Sequence, residues 1–210
     1  MPLPPTSDLA LAITAATLTP LPDEPWYRSV DLAVVVNLGV HVLDGTHTGK
    51  TGGRFNSPAS KPTCYLAGTQ TLAAFECEQA AMILGLTKPR SPRVTFAISV
   101  AGAQVLDLTN ALVRTPFGLT YGELTLPSSH WQHLNRTGVS APVQILGEAA
   151  RARKDCDGLV VPSWLCSVLP PGTLPRPNNL VLFMDPGHST RLRNTGRTIT
   201  IHDHSKLLYP

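Results

Sequence analysis

Twenty prolines are distributed along 210 residues, about twice the usual share near 5%. Proline breaks a helix interior and cannot donate to a strand ladder. A chain punctuated this often is therefore built from short elements joined by fixed turns. Because the prolines are spread along the chain, they mark many turns in place of one disordered linker. The composition, 42% apolar and 15% charged, suits one soluble domain with a single core at this length.

Charge narrows the partners. A net +3 and no basic run longer than the loose Arg151-Ala152-Arg153-Lys154 argue against a dedicated nucleic-acid surface. They still permit a cationic cleft for a pyrophosphate. No apolar run reaches the 18 residues or so that a membrane span needs. The apolar stretch 9–18 has no basic region ahead of it and Asp8 as its only near charge. It reads as a short helix capped by Ser7 and packed on the domain, not as a secretion signal. Cys64, Cys77, Cys156 and Cys166 show no Cys-x-x-Cys spacing and sit in apolar contexts. They are expected to be reduced core residues of a cytoplasmic protein rather than disulfides or zinc ligands.

Three polar groups fall on three successive elements. Arg54 lies in the turn Gly52-Gly53-Arg54-Phe55-Asn56-Ser57-Pro58, Tyr65 on the short apolar strand Thr63-Cys64-Tyr65-Leu66-Ala67, and Glu76 on the helix expected over residues 69–86. Apolar residues of that helix recur at Leu72, Phe75, Met82, Ile83 and Leu86, one face at about 100° per residue. Glu76 falls inside this arc and Glu78 points away. A carboxylate facing a core is either paired for structure or used. In the turn, the glycines allow positive φ and close backbone approach, and arginine offers a planar, permanently charged fork for a phosphate or ribose edge.

Further elements follow from pattern. Residues 26–30 read as the first strand, and 33–40 as a buried strand or an inserted piece. Residues 93–100 alternate as a strand, which Gly102 turns back into a hairpin with 104–108. Lys88-Pro89-Arg90-Ser91-Pro92 is a turn, residues 107–110 start a helix, and 139–154 form a second clear helix. Leu159-Val160-Val161 is a strand that presents Ser163 at its end. Residues 178–186 form a core strand ended by proline, and 197–201 form a last one. Gly49-Lys50-Thr51 mimics a P-loop, but residue 44 is Asp44 where glycine is needed, and Gly52-Gly53 cannot open the required helix. His130-x-x-His133 has metal-like spacing with no third ligand near, so no metal is expected. His188, His202 and His204 look peripheral.

The ordered set Leu43-Asp44-Gly45, Gly52-Gly53-Arg54-Phe55-Asn56, Tyr65-Leu66-Ala67, Leu72-Ala73-Ala74-Phe75-Glu76 and Gly158-Leu159-Val160-Val161-Pro162-Ser163 resembles the RES domain, over roughly residues 26–186. The resemblance implies an α+β single domain of the diphtheria-toxin-type ADP-ribosyltransferase fold, with a mixed β-sheet core and flanking helices. It divides the chain into an N-terminal extension (1–24), a catalytic domain (25–190) and a C-terminal strand and tail (191–210).

The resemblance also implies a bacterial toxin that consumes NAD as its substrate, without a metal, by hydrolysis, phosphorolysis or ADP-ribosyl transfer. Arg54, Tyr65, Glu76 and Ser163 would carry the reaction, and Arg28, Asn56 and Asn179 would help to bind NAD. Read on its own, Arg28 is also compatible with a solvated or ion-paired strand-edge residue, and Ser163 with a strand-end hydrogen bonder. The implied partner is a small helical antitoxin of the Xre type, with a homodimer also compatible. A RES-like scaffold that only holds its antitoxin is the alternative.

Overall fold

The computed structural model describes residues 6–38, 42–43, 45–83, 92–186, 188–202 and 208–209. In chain order the elements are α1 (Thr6–Ala15), β1 (Thr19–Pro20), β2 (Trp26–Asp31), α2 (Leu32–Leu38), α3 (Thr46–Thr51), β3 (Thr63–Ala67), α4 (Gln70–Ile83), β4 (Arg93–Ser99) and β5 (Gln104–Asp107). There follow α5 (Ala111–Arg114), α6 (Tyr121–Leu124), α7 (Ser128–Arg136), α8 (Pro142–Ala152), β6 (Gly158–Pro162), β7 (Asn178–Asp185), β8 (His188–Leu192), β9 (Thr200–His202) and β10 (Leu208–Tyr209).

The strands form one large mixed sheet in the order β1-β5-β6-β7-β3-β2-β4-β10, with β8 beside β7 and β9 beside β4. Only β5 and β6 pair in parallel among the described strands. This is the mixed-sheet, helix-flanked single domain that the resemblance implies.

The expected 93–108 hairpin does not form. β4 and β5 are consecutive in sequence yet lie five places apart in the sheet. In a flat sheet that separation is about 24 Å at 4.7–4.9 Å per strand, whereas the link from Ser99 to Gln104 reaches no more than about 18 Å. The sheet must therefore fold over on itself. Its inner faces meet in a core that joins Ile98 and Val100 to Val105, Val160, Leu180 and Leu182. The alternate residues of the same strands, Leu106, Leu159, Val161, Val181 and Phe183, face a second core with α1 and α8, among them Leu9, Ile13 and Leu146. Period-two alternation thus serves two cores at once.

The segment expected over 33–40 differs too in its described part, 33–38. α2 begins where the Asp31 carboxylate accepts the Ala33 N–H at 2.8 Å, a cap that turns the β-branched run into a helix. Val36 is 68% exposed, so this run is not buried either. The strand expected over 197–201 is β9, Thr200–His202, with residue 197 ahead of it, and β10 follows. β8, unanticipated, pairs with β7. α4 is described to Ile83; Asp44, residues 84–91, which include most of the 88–92 turn, and His204 lie outside the described residues.

Helix α1 packs on the helix-side core through Leu9 and Ile13. The Arg153 guanidinium closes its C-terminus by donating to the Ile13 and Ala16 carbonyls, each at 2.6 Å. Its first described residue is Thr6, so Ser7 lies within the helix instead of capping it. No cysteine forms a disulfide among the described residues, and no helix there is long and apolar enough to cross a membrane.

Candidate active site

The cavity opens where the sheet splits. β2 and β3 share a single paired position, Tyr27 with Ala67, while β2 runs on beside β4 and β3 beside β7. Helix α4 crosses this split and contacts β2, β3 and β4. The hollow of about 630 Å³ is within the range of roughly 300–1,000 Å³ typical of small-ligand sites.

The arginine turn is held from several sides. Gly52 takes positive φ, 80°, and Gly53 and Asn56 pair across the turn, the Gly53 N–H donating to the Asn56 carbonyl at 2.8 Å. A Cβ at Gly53 would stand 2.6 Å from both Asn56 Oδ1 and the Tyr65 hydroxyl, so only glycine lets them close on it. The Tyr65 hydroxyl accepts the Phe55 N–H at 3.0 Å and donates to Asn56 Oδ1 at 2.7 Å. Asn56 Nδ2 donates to the Thr48 carbonyl at 2.7 Å. From α8, Gln144 Nε2 donates to the Gly53 and Asn56 carbonyls at 2.8 and 3.1 Å, while its Oε1 accepts the Ala141 N–H at 2.8 Å.

This frame points Arg54 inward, where Nη1 donates to the Leu124 and Pro162 carbonyls at 3.0 and 3.1 Å. No carboxylate of the described residues forms an ion pair with Arg54. Burial lowers its guanidinium from the ordinary value, with the nearby Glu76 and Tyr65 opposing that shift. A half-buried cation in the cavity wall with no ion-paired carboxylate among the described residues favours an anionic ligand.

Helix α4 starts at Thr69, whose hydroxyl accepts the Leu72 N–H at 3.1 Å, and it packs through Leu72 and Ala73. Phe75 is 38% exposed, at the edge of the expected stripe. One residue on, Glu76 turns into the cavity. Its Oε1 accepts the Ser163 hydroxyl at 2.5 Å and Asn179 Nδ2 at 2.7 Å. Ser163 is fully buried, and its oxygen also accepts the Leu165 N–H at 3.2 Å, capping the short 3₁₀ helix Trp164–Ser167.

Because a carboxylate only accepts, the Asn179 amide nitrogen must face Glu76. Its Oδ1 is then a buried acceptor that no described residue satisfies. Asn179 lines the cavity at 4% exposure.

Three arginines, Arg28, Arg54 and Arg93, line the cavity against one carboxylate, Glu76. Tyr27, Phe55, Tyr65, Trp131 and Trp164 provide aromatic walls. A cationic hollow with π-faces and one inward acid suits an anionic ligand that carries planar rings.

The family model of the RES domain matches residues 36–201. The chain belongs to the RES domain family. The fold of this RES domain is similar to that of a chain in the crystal structure of the M. tuberculosis MbcT–MbcA toxin–antitoxin complex, with a TM-score of 0.64 and 22% identity over 93% of this chain and 90% of that one. No curated protein matches the chain.

Of the residues singled out in the sequence, the RES domain brings Arg28, Arg54, Tyr65, Glu76 and Asn179 to one cavity. Ser163 reaches it only through Glu76. Asn56 is fully buried and outside the lining, with its amide used by Thr48, Ser60 and Tyr65. It therefore positions the arginine turn instead of touching a ligand. Arg28 Nη1 donates to Cys64 Sγ at 2.6 Å. His130 and His133 are exposed on α7.

Sequence reasoning missed Gln144, Arg93, Trp131 and Trp164. Gln144 had a signal, a polar residue beside the apolar face of Val143 and Leu146. The other three sit in ordinary strand or helix patterns, and nothing local marks them.

Proposed function

We propose that this RES domain is an NAD-consuming toxin that cleaves the bond between nicotinamide and ribose. The observation that carries the reading is Glu76: a carboxylate turned into a cationic, aromatic-walled cavity and fixed there by Ser163 and Asn179. In the reaction the C1′–N bond breaks and nicotinamide leaves neutral with the electron pair. The sugar becomes oxocarbenium-like, and an acceptor oxygen bonds to C1′ and gives up its proton. Negative charge held beside the developing cation lowers the barrier only if it is already in place. Oε1 is occupied by Ser163 and Asn179, which leaves Oε2 for the ribose hydroxyl and the cation. Tyr65 contributes its ring to the ribose pocket, and Arg54 its remaining guanidinium nitrogens.

Water as acceptor gives hydrolysis, inorganic phosphate gives phosphorolysis, and a protein side chain gives ADP-ribosylation. The first two are favoured here by the resemblance alone. The partner in this reading is an antitoxin, supported by a fold neighbour that comes from a toxin–antitoxin complex; its Xre type and the cytoplasmic setting rest on the family resemblance alone.

A second reading, a module that chiefly holds an antitoxin, draws on a second hollow of about 290 Å³ lined by Tyr121, Leu169, Pro170, Pro171 and Pro177. Near it in sequence, Val168 is 60% exposed.

The test is nicotinamide release from NAD by the purified protein, with and without phosphate, beside Glu76→Gln. Glutamine keeps an acceptor for Ser163 and Asn179 but removes the charge. The expected loss is roughly 10²–10³-fold, the scale of deleting one preorganised electrostatic group. Equal silence of wild type and variant under both conditions would refute the enzyme reading and leave the binding module.

A further inference from the structure

One Arg54 guanidinium nitrogen, Nη1, already serves two carbonyls, which leaves its other nitrogens for the ribose side of the ligand. Two phosphates need more than one cation, and the cavity holds two further arginines, Arg28 and Arg93. At the β2–β4 side of the hollow, Arg93 Nε donates to Ser29 Oγ at 3.0 Å. Its Nη2 donates to the Ser29 carbonyl at 3.0 Å and to Cys77 Sγ at 3.1 Å. Those bonds fix the plane of the fork and leave Nη1 unused. No carboxylate of the described residues pairs with Arg93, although Asp31 stands opposite it in the β2–β4 register. Arg28, Ser29, Cys77 and Arg93 all line the same cavity as Glu76. Cys77 follows Glu76 directly on α4, so the Arg93 fork is bonded to the residue next to the acid in a shared lining. In a dinucleotide, the first phosphate lies one sugar away from the bond to be broken.

We propose that Arg93, with Arg28, is the pyrophosphate-binding element of the cavity, and that Arg93 is a positioning and specificity residue that sets the nicotinamide ribose against Glu76. A guanidinium preorganised by Ser29 and Cys77 binds a phosphate oxygen with little ordering cost. The inference rests on the proposed NAD activity for its substrate, but not for the anion site itself.

The test measures binding of inorganic pyrophosphate, inorganic phosphate, ADP-ribose and nicotinamide riboside by calorimetry, and KM and kcat for NAD. The proteins are wild type, Arg93→Ala, Arg93→Lys and Cys77→Ala, each checked for its unfolding midpoint. Expected for Arg93→Ala is a roughly ten- to hundredfold weaker affinity for pyrophosphate and ADP-ribose, the size of one charge-assisted hydrogen bond. KM should rise more than kcat falls, and nicotinamide riboside should bind as before. Arg93→Lys should recover part of the affinity, and Cys77→Ala, which keeps the charge, most of it.

Unchanged pyrophosphate affinity in a folded Arg93→Ala, or an equal loss for nicotinamide riboside, overturns the proposal. So does a wild type that binds no pyrophosphate, or binds inorganic phosphate equally well. If pyrophosphate binding depends on Arg93 but wild type consumes no NAD, the anion site stands and the enzyme reading falls. If NAD is consumed with no dependence on Arg93, only the anion site falls.

Discussion

Replacing Tyr65 by phenylalanine removes one oxygen and leaves two buried partners without their bond: the Phe55 N–H and Asn56 Oδ1. Phe55 and Asn56 are both fully buried, so both groups lose their partner inside the fold. Each orphaned buried group costs about 1–3 kcal/mol. Tyr65→Phe should therefore lose roughly 2–6 kcal/mol, a large share of the 5–15 kcal/mol or so that holds a typical domain together. The assay is urea unfolding of wild type, Tyr65→Phe, Asn56→Ala and the double variant. With a slope of about 1–3 kcal/mol per molar urea, the midpoint should fall by at least about 0.7 M. The double variant should be much less destabilised than the sum of the singles, since both singles break one network. A Tyr65→Phe protein within about 0.5 kcal/mol of wild type, the range of an inert surface change, would refute the claim that this hydroxyl holds the arginine turn. If such a stable variant had also lost NAD cleavage, the hydroxyl would have to act on the substrate.

Gly147→Ala tests the approach of α8 to that turn: a Cβ there would meet the Phe55 carbonyl oxygen at 1.9 Å. Alanine in a helix normally gains about 0.5–1 kcal/mol over glycine, so the expected sign is reversed, with a loss of about 1–3 kcal/mol from overpacking, read as a lower urea midpoint. Burial holds the Tyr65 phenol well above its ordinary 10.0. The folded protein thus keeps a proton that the unfolded chain releases above pH 10, and the resulting stability, full below that pH, drains away as pH rises further. Stability measured from pH 9 upward should fall less steeply in Tyr65→Phe than in wild type. Trp131 lines the cavity from α7, a helix with no buried residue. Trp131→Ala should raise KM for NAD by roughly tenfold, within the range of one base–aromatic stack, and Trp131→Phe should reduce the fluorescence change on binding, leaving the part due to Trp164 in the same lining. An unaltered KM in Trp131→Ala would remove the stacking assignment.

Local chemistry is legible in a linear chain because it depends on neighbours a few residues away. The glycine pair before Arg54, the apolar strand around Tyr65, the helix bearing Glu76 and the proline that ends β7 could all be read that way. The ordered set of motifs then placed those pieces in the RES domain. Residues 33–38 show where local reading fails. Their β-branched run fits strand or helix, and the Asp31 carboxylate on the Ala33 N–H decided for helix.

Which strands pair, and which side chains meet, depends on contacts between distant segments. β4 and β5, adjacent in sequence, part to opposite regions of the sheet because its inner faces must fold together to bury Ile98 against Val105 and Leu180. The same folding opens the split between β2 and β3. That split alone decides that Arg93, an unremarkable strand residue, shares a cavity with Glu76. Gln144 braces the arginine turn only because α8 crosses it some ninety residues later in the chain, at a contact close enough to require Gly147.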